Sequence, residues 1–81
     1  MKFVKINNEL VADWVFSDFK TALKFINLVG DLAEIHDHHP QIINNYNKVQ
    51  LRLTTHDAGN IITEKDILLA NEIEKIEISI I

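Results

Sequence analysis

The chain contains no cysteine, and in a sequence of only 81 residues this is the feature that most restricts its fold. A domain of this size buries only about 60–65% of the surface of its unfolded chain, so its core is thin. Small domains of this kind are often stabilised by disulfides, a structural metal or self-association. Without cysteine there are no disulfides, thiolate zinc sites, iron–sulfur clusters or cysteine nucleophiles. We therefore expect one domain, residues 1–81, that is stabilised by self-association.

The charge and the apolar content exclude two classes of partner. The net charge is −4 at pH 7, and no basic cluster is present. Such a chain is a poor nucleic-acid binder, because phosphate neutralisation dominates that affinity. No apolar stretch approaches the roughly 18 residues of a membrane span, and residues 1–6 do not resemble a signal peptide. We expect a cytoplasmic protein that binds neither nucleic acid nor membranes.

The spacing of the apolar residues predicts the order strand, strand, helix, strand, strand, helix. The strands are predicted over residues 2–7, 10–16, 41–44 and 48–55, and the helices from Ser17 to about residue 36 and from Thr63 onward. Asn7-Asn8-Glu9 and residues 44–47 are predicted to be turns. This order is typical of an α+β domain in which helices pack on one face of a four-stranded antiparallel sheet.

Several polar residues mark the predicted helix boundaries. Ser17 is the expected cap of the first helix, Asp18 suits its positive end, and Pro40 is expected to end it before His39. Thr63 and Asp66 have the spacing of a short capping box for the last helix. The apolar tail, residues 78–81, is expected to pack on the sheet or on a neighbouring subunit.

Histidine is the residue type that offers the most chemistry in this chain. His38 and His39 lie close to His36 just before Pro40, and His56 ends the most regular strand. The alternation of that strand predicts that His56 projects from the sheet face opposite the main helix, or from the sheet edge. Imidazoles suit proton transfer near neutral pH, and a helix exit and a strand end can form two walls of one pocket.

Other interpretations of the histidines remain open. His36 is best explained as a surface residue, and for the other three a surface role is as well supported by spacing as a catalytic one. A metal site completed by Asp37 and His56 is a third interpretation. It is disfavoured, because the H-x-H-H spacing lacks two ligands on one helical face.

The run Glu34-Ile35-His36-Asp37-His38-His39-Pro40 is followed at fixed gaps by Tyr46 and by Thr55-His56-Asp57. This pattern resembles the pterin-4a-carbinolamine dehydratase family, and Asp66 resembles part of that family's closing segment. The resemblance implies a four-stranded antiparallel sheet with helices on one side, and a homodimer or homotetramer. The sequence departs from the family pattern in having Gln41-Ile42 after the proline. We also expect a longer loop near residues 60–62 and the absence of the family's N-terminal helix before the first strand.

The resemblance also implies a function. The family, a group of hydro-lyases in tetrahydrobiopterin metabolism, dehydrates 4a-hydroxytetrahydropterins to quinonoid dihydropterin and water, without a metal or organic cofactor. By the resemblance, His38 and His56 would be the acid–base pair, and His39 would hold the pterin or take part in protonation. The residues implied in substrate binding are Glu34, Asp37, Pro40 and Asp57. A non-catalytic dimerisation or assembly partner on the same fold is the alternative function.

Overall fold

The computed structural model describes the backbone of residues 2–80 and the side chains of residues 2–76. Its elements are β1 (Val4–Ile6), β2 (Glu9–Val15), α1 (Phe19–His36), β3 (Gln41–Asn45), β4 (Lys48–Leu53), a 3-10 turn (His56–Ala58) and α2 (Glu64–Ile80). The predicted order of strands and helices is confirmed. No helix within residues 2–80 is both long and apolar enough to cross a membrane.

The four strands form one antiparallel sheet in the order β1-β2-β4-β3. Alternate residues of the two central strands face the helices, and cross-strand pairs such as Ala12↔Leu51 and Trp14↔Val49 are buried. Against them pack Phe25 of α1 and Leu69 of α2, which are both fully buried. The single core lies between the sheet and the two helices, so the α+β class predicted from the sequence is correct.

The two hairpin turns also agree with the prediction. Asn7 begins the turn between β1 and β2 with a φ of 55°, a left-handed conformation that Asn tolerates well. Tyr46 has a φ of 53° in the turn between β3 and β4, and its ring stacks on Phe19 with the ring centroids 6.5 Å apart. The Tyr46 side chain is largely exposed and packs at the edge of the domain.

Most predicted boundaries differ from the structure by one or two residues, and two of these differences have a clear physical reason. The cap of α1 is Asp18 and not Ser17, because the Asp18 carboxylate accepts the Thr21 N–H at 2.7 Å. This hydrogen bond lowers the pKa of the Asp18 carboxyl. The strand β4 ends at Leu53 and not at residue 55, because Thr55 pairs with Ile61 and closes a loop.

The C-terminal ends of the two helices are the last boundaries to consider. The helix α1 ends at His36, and Pro40 follows in the connection to β3, as expected. The backbone of α2 continues to Ile80, so the apolar tail is helical up to that residue. The packing predicted for the tail side chains lies outside the described residues.

Candidate active site

The end of α1, the segment after β4 and the start of α2 meet at one cleft of about 190 Å³. This cleft contains all three histidines predicted to act together. Its lining residues are Asp37, His38, His39, Thr55, His56, Asp57 and Lys65. The alternation of β4 does not set the direction of His56, because the strand ends at Leu53 and His56 opens the following 3-10 turn.

A reversal of the backbone at the end of α1 aims His38 into the domain. Asp37 adopts a left-handed conformation (φ 48°, ψ 44°), and its N–H bonds to the carbonyls of Ala33 and Glu34. The His38 N–H also bonds to the Ala33 carbonyl, at 3.0 Å. These bonds satisfy the Ala33 and Glu34 carbonyls at the helix end. The His38 side chain keeps only 11% of its exposure.

His38 is held by a buried carboxylate. Its Nε2 atom lies 2.5 Å from Oδ1 of Asp66, whose side chain is completely buried. The other Asp66 oxygen accepts the Thr55 hydroxyl at 2.7 Å and the Thr63 N–H at 2.8 Å. Burial raises the pKa of Asp66, but the hydrogen bonds from His38, Thr63 and Thr55 outweigh this effect and leave that pKa below its ordinary value.

The ionised state of Asp66 decides where the proton of His38 lies. A carboxylate can only accept hydrogen bonds, so the Nε2 atom of His38 carries a hydrogen that it donates to Asp66. In the neutral imidazole, the lone pair is then on Nδ1. Thr55 donates its one hydroxyl proton to Asp66, so the Thr63 hydroxyl donates to Thr55 at 2.7 Å.

The sequence predicted only the capping role of Asp66. Half of the expected capping box is present, since Asp66 accepts the Thr63 N–H. The Thr63 hydroxyl points to Thr55, so it does not make the other half. The pairing of Asp66 with His38 was missed, because 28 residues separate the two and no spacing rule links them.

The other two imidazoles have different partners. The Nε2 atom of His39 lies 2.5 Å from Oε2 of Glu34, and both side chains are more than half exposed. His56 is also exposed, and its Nδ1 atom lies 2.6 Å from Oδ1 of Asn60. The three histidines are thus paired with a buried carboxylate, an exposed carboxylate and a neutral amide.

Only some of the other residues predicted for the site line the cleft. Asp37 and Asp57 line the cleft, whereas Glu34 and Pro40 are not among its lining residues. The Glu34 side chain is connected to the cleft through its bond to His39. Lys65 also lines the cleft and was not predicted, because no motif in the sequence includes it. His36 is half-buried and does not line the cleft.

The geometry of the site also bears on the interpretation of the histidines as metal ligands. Across the described side chains, no group of three or more histidine or carboxylate residues is arranged to hold a metal ion. The pairing of His38 with Asp66 and of His39 with Glu34 instead directs each of these imidazoles to a separate carboxylate.

Comparison with known proteins identifies the family. A sequence model described as "Pterin 4 alpha carbinolamine dehydratase" matches residues 3–76. The chain belongs to this family. A relative from Thermomicrobium roseum is 49% identical over 67 residues, which are 83% of this chain and 71% of the relative. A relative from Metallosphaera sedula is 41% identical over 71 residues, which are 88% of this chain and 73% of the relative.

Both relatives are named "Putative pterin-4-alpha-carbinolamine dehydratase". A dehydratase is a hydro-lyase, and these similarities place the chain in that class of enzyme. A crystal structure from Brucella melitensis, described as "transcriptional coactivator/pterin dehydratase", superposes with a TM-score of 0.87 at 35% identity. That similarity covers 93% of this chain and 81% of the other, so the fold is that of the pterin dehydratase.

Proposed function

We propose that this member of the pterin-4-alpha-carbinolamine dehydratase family dehydrates a 4a-hydroxytetrahydropterin to quinonoid dihydropterin and water, in the recycling of a pterin cofactor. The family membership supports the reaction, and the names of the relatives support the substrate class. The observation that carries the proposal is the meeting of His38, His39 and His56 around one cleft.

The reaction needs two proton transfers. A general acid protonates the hydroxyl group on C4a, the C4a–O bond breaks, and water leaves. A general base removes the proton from N5, and the electron pair of the N–H bond forms the C4a=N5 double bond. Imidazoles are suited to both roles near neutral pH, and positioned general acids and bases typically contribute about 10²–10⁴-fold.

The residues of the cleft are proposed to divide these tasks. His38 and His56 form the acid–base pair, because they line one cleft from two different segments, the exit of α1 and the 3-10 turn after β4. His39 holds the pterin or assists protonation. Asp37 and Asp57 contact the substrate, since both line the cleft. Glu34 acts through His39, to which it is hydrogen-bonded, and Pro40 restricts the backbone after the two histidines.

The dehydratase assay tests this proposal. A 4a-hydroxytetrahydropterin generated in situ is followed by its ultraviolet absorbance, with the wild-type protein, His38→Ala and His56→Ala. We expect wild-type turnover above the spontaneous rate, and a loss of at least about tenfold in each variant. Circular dichroism establishes that the variants fold. Variants with wild-type rates would exclude the acid–base assignment, and an inactive wild-type protein would exclude the reaction.

A second function is favoured by one comparison. The Brucella melitensis structure is described as both a coactivator and a dehydratase, so a non-catalytic dimerisation or assembly partner is the alternative for this chain. Titration with a dihydropterin distinguishes the two, because a protein that acts only as a partner need not bind a pterin. Binding at the cleft that is lost in His38→Ala supports the enzyme.

We also propose that the protein self-associates as a homodimer or homotetramer. The edge strand β3 is exposed at every residue, and its Ile42 and Ile43 add apolar surface there. Exposed edges and apolar patches are common association sites. Light scattering at micromolar concentration measures the mass, and a sharp monomer would contradict the proposal.

A further inference from the structure

We propose that Asn60 is a positioning residue that holds His56 as the Nδ1–H tautomer and leaves its Nε2 lone pair available to the cleft. This inference rests on the proposed function, because it assigns a chemical state to a histidine of that site. Asn60 lies in the loop between β4 and α2.

The loop is built so that residue 60 returns to residue 56. Gly59 has a φ of 85° and Asn60 a φ of 60°, and two successive left-handed residues reverse the direction of the chain. The Gly59 N–H bonds to the His56 carbonyl at 3.0 Å. Both side chains therefore leave the same side of a closed turn, and Nδ1 of His56 lies 2.6 Å from Oδ1 of Asn60.

The base of the turn is anchored on Thr55. The Asn60 N–H bonds to the Thr55 carbonyl at 3.1 Å, and the Thr55 N–H bonds to the Ile61 carbonyl at 2.9 Å. Thr55 itself is buried and donates its hydroxyl to Asp66. Both backbone groups of the buried Thr55 thus bond to the end of the turn. These bonds fix the backbone of Asn60, so that its side chain can orient the exposed imidazole of His56.

The atoms in contact determine the tautomer. The carbonyl oxygen of Asn60 can only accept a hydrogen bond, so Nδ1 of His56 is the donor. A neutral imidazole carries one ring proton, and its Nε2 atom then holds the lone pair. His38 has the opposite arrangement, with the proton on Nε2 and the lone pair on Nδ1. The two proposed catalytic imidazoles thus offer different ring nitrogens to a bound molecule.

The partner also influences the charge of the ring. The amide of Asn60 is neutral, whereas a carboxylate at position 60 would place a negative charge beside the ring. The ionisable residues that share the cleft with His56 are Asp37, His38, His39, Asp57 and Lys65. Glu9 lines a second cavity that His56 also borders.

The first test observes the tautomer without any enzyme activity. Long-range ¹H–¹⁵N spectra at a pH where His56 is neutral distinguish a protonated Nδ1 from a protonated Nε2. We expect Nδ1–H for His56 in the wild-type protein, and a shift toward Nε2–H in Asn60→Gly. Glycine suits this variant because it accepts the left-handed backbone of residue 60 and removes only the side chain. An Nε2–H signal in the wild-type protein would overturn the proposal.

The second test measures the reaction. Loss of one net hydrogen bond predicts that kcat falls about 2- to 10-fold in Asn60→Gly, with KM changed less than kcat. Asn60→Asp supplies a negative partner, and the limb of the pH–rate profile that belongs to His56 is expected to move to higher pH. Asn7→Gly is the matched control, because Asn7 is an exposed Asn with the same left-handed backbone. It borders the same cavity as His56, but Asn60 is the residue whose side chain is bonded to the ring.

The results of these tests separate the role of Asn60 from the dehydratase function on which the proposal rests. An Asn60→Gly protein with wild-type kcat, pH profile and tautomer would overturn the role of Asn60 while the dehydratase activity stands. A wild-type protein that shows the Nδ1–H tautomer but no dehydratase activity would contradict the function, and would retain the structural role of Asn60. Equal losses in Asn7→Gly and Asn60→Gly would show that the effect is not specific to the His56 contact.

Discussion

The side chains of His38 and Asp66 meet at 2.5 Å, although one residue follows the end of α1 and the other lies in the first turn of α2. The contact joins the proposed site to the start of a helix. Asp66 accepts the Thr63 N–H at the same time, so a single carboxylate caps α2 and holds the imidazole. Activity and folding are therefore expected to depend on the same residue.

Asp66→Asn tests this dependence. Three donors point at the carboxylate, and an amide in its place turns its NH₂ group toward at least one of them. We expect a loss of about 1–3 kcal/mol in the free energy of unfolding, measured by urea denaturation. Turnover is expected to fall at least about tenfold, because His38 loses the acceptor that orients it.

Asp31→Asn provides the control for this substitution, because Asp31 is an exposed carboxylate on α1. Its unfolding free energy is expected to stay within about 0.5 kcal/mol of the wild-type value. Equal stability of Asp66→Asn and the wild-type protein would contradict the structural role of the buried carboxylate.

The acid dependence of stability follows from the same group. The pKa of Asp66 is lower in the folded protein than its ordinary value of 3.8, so the unfolded chain binds this proton more readily. The contribution of Asp66 is fully present above the unfolded pKa and is lost as the pH falls through the lower, folded pKa. We expect the stability gap between wild type and Asp66→Asn to be large at pH 7 and to shrink below about pH 4. Urea denaturation at a series of pH values measures this gap, and a gap that does not change with pH would argue against an ionised Asp66.

The exposed pair of Glu34 and His39 is expected to behave differently. Both side chains are more than half exposed, so solvent and salt screen their attraction. Glu34→Gln is predicted to change the unfolding free energy by less than about 1 kcal/mol, and to lower turnover less than Asp66→Asn does. Stability and turnover measured at low and at high salt would test this. A larger loss in Glu34→Gln than in Asp66→Asn would reverse the assigned importance of the two carboxylates.

The two glycines provide a paired test of backbone effects. Gly30 lies within α1, where an added Cβ meets no atom within 4 Å, so Gly30→Ala is expected to stabilise the protein by about 0.5–1 kcal/mol. Gly59 has equal space but a φ of 85°, so Gly59→Ala is expected to destabilise it by about 1–2 kcal/mol. Thermal unfolding measures both. A lower melting temperature for Gly30→Ala would mean that this part of α1 contacts something else, such as a second subunit.

The parts of the fold that depend on local patterns could be predicted from the sequence. Alternation in Val49, Leu51 and Leu53 identified β4 and its buried face, and the three- and four-residue spacing identified α1. The boundaries were less accurate, since the choice between Ser17 and Asp18 as the cap depends on the direction in which the chain leaves β2.

The site was predicted only in part, because contacts that depend on the folded chain do not follow from local sequence patterns. The histidines were found because their spacing matches a family pattern, and the structure brings three of them to one cleft. The partners of the imidazoles were harder to predict. Asp66 reaches His38 through the packing of α2 against α1, and Asn60 reaches His56 because two left-handed residues fold the loop back.

Thr55 connects the two halves of this arrangement. Its backbone closes the loop that carries His56, and its hydroxyl holds the carboxylate that orients His38. A shift of Thr55 is therefore expected to displace both imidazoles together while the distance between them changes little. Substitution at position 55 is expected to disturb both rings.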